Sequence, residues 1–112
     1  MSKILFTDID GTLCEELAGK YSYANVPPKV EMINKVNQLY DSGSKIILFT
    51  ARGMRTYSGD IEQINLHVRP VLVKWLGEHD VKYHELVMGK PWAKDCYYVD
   101  DRALHPEEFL KL

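Results

Sequence analysis

Three short apolar runs, each ending in polar residues able to do chemistry, constrain this chain more than any other feature. Lys3 to Thr7 runs into Asp8 and Asp10. Lys45 to Phe49 ends at Thr50, and Tyr97 to Val99 leads into Asp100 and Asp101. Runs of this length, bounded by polar residues or Gly, read as buried strands of a parallel sheet. A weaker run, Val81 to Val87, reads as a further strand. The intervening segments are helical. Val30, Ile33, Val36, Leu39 and Tyr40 recur at helical spacing between the Pro27-Pro28 start and the Gly43 stop. Ser58 to His79 carries a second stripe of Ile61, Ile64, Val68, Leu72, Trp75 and Leu76, with Pro70 inside it to kink or split the helix. Pro106 to Leu112 reads as a short closing helix, and Cys14 to Val26 as a Tyr-rich loop or flap. The pattern predicts an α/β domain whose ligands sit at the carboxyl ends of the strands.

At 112 residues the chain reads as one domain spanning 1–112. Its net charge of -2 gives no reason to expect nucleic acid or an anionic membrane as partner. No stretch approaches the ~18 apolar residues that span a bilayer. The amino-terminal run meets acids too early for a secretory segment, so the expected location is cytoplasmic. There, Cys14 and Cys96, which lack CxxC spacing, are expected as reduced thiols. His67, His79, His84 and His105 form no zinc-helix pair and read as structural or surface residues.

The strongest chemical signal is Asp8-Ile9-Asp10-Gly11-Thr12-Leu13. Strand geometry puts Asp8 and Asp10 on one side, and Gly11 lets the chain turn away. Two carboxylates this close repel each other, and a hard divalent cation such as Mg²⁺ would relieve them.

Asp8 to Leu13 resembles the DxDGT motif of haloacid dehalogenase superfamily phosphatases. Thr50, closing Ile46-Ile47-Leu48-Phe49, is similar to the second motif. Lys90 in Gly89-Lys90-Pro91 is similar to the third, and Tyr98-Val99-Asp100-Asp101 to the acidic fourth. The four occur in the family's order over almost the whole chain. The resemblance implies a Rossmann-like three-layer sandwich with a mainly parallel central sheet. It also implies site roles. Asp8 would be the nucleophile that forms an aspartyl-phosphate. Asp10 would be general acid and then base. Asp8, the backbone carbonyl of Asp10, and Asp100 would hold Mg²⁺. Thr50 and Lys90 would bind and neutralise the phosphoryl oxygens. Lys94 is the alternative to Lys90; Asp101 and Arg102 are possible additions. Arg52 and Arg55 follow the second motif, and Arg52 is a candidate substrate contact.

Neither inter-motif interval leaves room for a cap domain, so the resemblance implies a capless member with an open site. The expected substrate is a small phosphorylated metabolite, such as a sugar phosphate, with a homo-oligomer closing the site near the flap residues Tyr21 and Tyr23. A macromolecular substrate is the alternative, as a phosphoprotein or a nucleic-acid end. A receiver-like phospho-acceptor would need its phosphorylated Asp on a middle strand. A phosphomutase would need a closed site.

Overall fold

The computed structural model describes residues 3–112. In chain order the elements are β1 (Ile4–Thr7), α1 (Val30–Asp41), β2 (Lys45–Thr50), α2 (Ile61–His67), α3 (Arg69–Glu78), β3 (Glu85–Met88) and α4 (Pro106–Phe109). The three strands form a parallel sheet in the order β1-β2-β3. This is a small α/β domain of Rossmann-like character. The stripe over Ser58 to His79 is split as its proline requires: α2 ends at His67, and α3 takes Pro70 into its first turn, where a missing N–H costs nothing.

In-register partners of a parallel sheet share a face, and successive residues alternate between faces. Thr7, Leu48 and Leu86 therefore lie together, with Ile46, Thr50 and Met88 on the same side. All of these are buried. Ile46, Leu48, Leu86 and Met88 belong to one core with Met32, Ile33 and Val36 of α1, Ile64 of α2, Leu72, Trp75 and Leu76 of α3, and Phe109 of α4. The indole N–H of Trp75 donates to the carbonyl of Val26 at 2.9 Å, fastening the end of the Tyr-rich loop to this core.

The opposite face differs. It carries Ile4 (61% exposed) and Phe6 (67% exposed), with the half-buried Phe49 and the exposed Val87 further along. The helices of the core cover the first face, and the second carries the buried Ile47 among these more exposed side chains.

Two strand expectations need correction. The run from Val81 becomes a strand only at Glu85. Asp80 has a positive φ of 53°, and the Val81 N–H still bonds to Leu76 of α3, so the first residues complete a turn. His84 is structural, as expected. Its Nδ1 accepts the Ile46 N–H at 3.0 Å, standing in for a strand carbonyl. The strand expected over Tyr97 to Val99 does not form. Pro91 through His105 contains neither strand nor helix, and every residue in it is exposed.

Candidate functional site

Asp8 follows β1 directly, and the next six residues fold into a tight turn. The N–H groups of Thr12 and Leu13 donate to the Ile9 carbonyl, and that of Gly11 to the Cys14 carbonyl. Ile9 and Leu13 are wholly buried and anchor the turn from below. The alternation leaves Asp8 and Asp10 directed to the rim. Gly11 has a φ of 81°, a conformation that favours glycine.

Each carboxylate meets a cation. Lys90 Nζ lies 3.3 Å from Asp8 Oδ1. Burial pushes the Asp8 carboxyl above its ordinary range, and Lys90 pulls the other way without cancelling the effect. Lys90 is aimed by its loop, because the N–H groups of Gly89 and Lys90 both bond to the Thr50 carbonyl, at 3.1 and 3.0 Å. Its Nζ also lies 4.8 Å from the centre of the Phe49 ring and 4.1 Å from that of Tyr98. Lys94 is exposed, and Lys90 is the lysine that stands beside Asp8.

Gly89 has a φ of 96°, and a Cβ there would stand 2.5 Å from Ile61 Cδ1. Gly89→Ala is expected to cost about 1–2 kcal/mol, a typical penalty for a strained backbone position. Urea denaturation measures that loss.

Asp10 is gripped by Arg52. Nε lies 3.1 Å from both carboxylate oxygens, and Nη2 lies 2.9 Å from Oδ1. The Arg52 side chain has no exposed surface and is covered by the Tyr23 ring, 4.4 Å from the guanidinium carbon. The candidate substrate contact Arg52 is thus set against Asp10 rather than exposed on the rim. The fork is directed to Asp10, and Nη1 is buried without a partner among the described residues. Arg55 is exposed beyond it. Thr50 ends β2 as expected, but it is fully buried, and its hydroxyl accepts the Arg52 N–H at 3.1 Å. In this conformation Thr50 shapes the turn that aims Arg52.

Sequence reasoning missed Cys14 and the stacking of Tyr23. Cys14 Sγ lies 3.6 Å from Arg52 Nη2 and 3.5 Å from Asp10 Oδ1. Burial first, and then the Asp10 charge, push its thiol up to about 12, so it is a poor nucleophile. Both cysteines are free, with Cys96 exposed. The Tyr-rich composition of residues 21 to 23 was the available signal for Tyr23, without its partner.

Asp100 is not brought to Asp8 and Asp10. Its Oδ1 accepts the Arg102 N–H at 2.8 Å, and Asp100, Asp101 and Arg102 are all exposed. Among the described residues no three acidic, His or Cys side chains converge to hold a metal. Asp8 and Asp10 offer the hard oxygens Mg²⁺ prefers, but the donor set implied by the sequence is one carboxylate short within a single chain. Among the described residues no helix is long and apolar enough to cross a membrane.

Fold and rim define a Rossmann-like α/β domain with paired carboxylates, each salt-bridged, at the carboxyl end of its first strand. No protein-family model and no curated protein matches the chain. Among solved structures it is similar to a structural-genomics target from Vibrio cholerae. The two share 42% identity and a TM-score of 0.90, over 100% of this chain and 89% of that one. The chain belongs to one family with that Vibrio cholerae protein.

Proposed function

We propose that this protein is a Mg²⁺-dependent phosphomonoester hydrolase of the haloacid dehalogenase type, acting on a small phosphorylated metabolite such as a sugar phosphate. The observation that carries the reading is Asp8 Oδ1 set 3.3 Å from Lys90 Nζ, with Asp10 two residues further on the same rim. An anionic nucleophile must approach an anionic phosphoryl group, and a fixed cation beside it offsets their repulsion.

In the proposed reaction an Asp8 oxygen bonds to phosphorus as the ester oxygen leaves with a proton from Asp10. Asp10 then takes a proton from water, whose oxygen attacks phosphorus and releases phosphate, restoring Asp8. Arg52 fixes the orientation of Asp10 through both steps. Mg²⁺, when bound, would supply further charge neutralisation.

The test is phosphate release from p-nitrophenyl phosphate and a panel of phosphorylated metabolites, in Mg²⁺ and in EDTA. Release that needs Mg²⁺ is expected, strongest with one class of metabolite. Release only from phosphoproteins or nucleic-acid ends would overturn the substrate class. No release from any of these by folded protein would overturn the hydrolase.

A further inference from the structure

β1 is an edge strand: among the described residues it pairs with β2 alone. Such an edge presents unpaired N–H and C=O groups to any strand that fits. The chain itself carries a strand-like segment, Tyr97 to Val99, that pairs with no strand among the described residues, its one inward contact being the Tyr98 ring near Lys90. Tyr97 and Val99 are 94% and 97% exposed, an unusual state for two large apolar side chains. They are spaced like the exposed Ile4 and Phe6 of β1, two residues apart, so a paired strand would bring all four onto one face.

We propose that Tyr97 to Val99 of a second copy adds to the free edge of β1, parallel to it, and that Asp100 of the partner subunit thereby joins Asp8. Only the parallel orientation puts Asp100 after its strand at the same end as Asp8 after β1. The role given to Asp100 rests on the phosphohydrolase reading, whereas the strand addition rests on geometry.

The connection from β3 is what points to a second copy. Gly89 to Cys96 is eight residues, and Gly89 and Lys90 are already fixed to β2 through the Thr50 carbonyl. The remaining six reach about 20 Å when fully extended. To serve its own β1, this segment would cross three strand spacings, about 14 Å. It would then clear a layer of side chains and return to the opposite end of the sheet. A parallel crossover takes a dozen residues or more. Closing the sheet within one chain would therefore pull Lys90 away from Asp8. A strand arriving from a neighbour needs no return path. The likeness to the Vibrio cholerae structure runs over the full length of this chain, projecting segment included.

Charge fits as well. Lys90 and Arg52 stand against Asp8 and Asp10 on the receiving rim, and the arriving carboxylate is the donor missing from the Mg²⁺ set.

Light scattering at micromolar concentration should show a dimer or a multiple of one. The double variant Tyr97→Lys/Val99→Lys should be a monomer that keeps the helical far-UV signal and loses only the added strand, since both positions are exposed in the single chain. A monomeric wild type, or an oligomer that survives both lysines, overturns the strand addition. Asp8→Asn and Asp100→Asn chains, each inactive alone, are then refolded together. Random pairing in a twofold dimer leaves about a quarter of the sites intact, so about a quarter of wild-type activity should return. A mixture that stays inactive beside an active wild type overturns the shared site. An inactive wild type overturns the phosphohydrolase instead, and the scattering result alone then decides the strand addition.

Discussion

Asp8→Asn should abolish Mg²⁺-dependent phosphate release and, in the metal-free protein, raise the melting temperature at neutral pH. Loss of a covalent nucleophile generally lowers turnover by roughly 10⁴-fold or more. The rise in stability follows from the environment of this carboxyl. Burial raises its pKa in the folded state despite Lys90. A group raised in this way contributes stability that is fully present below its unfolded pKa and is lost as pH rises through its folded one. At neutral pH the ionised Asp8 is therefore a net burden on the metal-free fold, and a neutral carboxamide of the same shape removes it. Thermal melts in EDTA should show a larger advantage for Asp8→Asn at pH 7 than near pH 4. Turnover by the variant would exclude Asp8 as nucleophile. A lower melting point at pH 7 would mean that Lys90 outweighs burial.

Arg52→Met is expected to destabilise the fold by about 3 kcal/mol. That is the lower end of the cost of removing one partner of a buried pair, because Asp10 keeps part of its surface in water. Urea denaturation measures it. Since Arg52 faces Asp10, kcat should fall while KM changes little. Arg52→Lys should not rescue the loss, because an ammonium group cannot make the forked contact to both oxygens. If instead KM rose with kcat unchanged, Arg52 would be binding substrate, as the sequence suggested.

Elements with strong local signals were legible in the sequence. The acidic turn after Lys3 to Thr7 could be read because period-2 geometry puts Asp8 and Asp10 on one side and Gly11 lets the chain turn away. The split at Pro70 could be read because a proline imposes its own geometry. Lys90 could be chosen over Lys94 because Gly89 shapes its loop. Arg52 could not be placed. Nothing in Thr50-Ala51-Arg52-Gly53 shows that the chain doubles back and delivers the guanidinium to a carboxylate 42 residues away. Tyr97 to Val99 has the composition of a strand, but a strand needs a neighbour, and the length of the preceding connection decides which neighbour it can reach. Composition carries no such information.

The bond from Trp75 to the Val26 carbonyl has a mechanical consequence. It fixes one end of the Tyr-rich loop to the largest fully buried side chain of α3, while Ala18 and Gly19, both at positive φ, bend the loop within its length. Tyr23 stands three residues from the fixed end, a reach of about 10 Å. With Leu17 and Tyr21 packed against the same core, the indole bond also holds the ring that covers Arg52, so the setting of Asp10 is tied through the loop to the interior of α3.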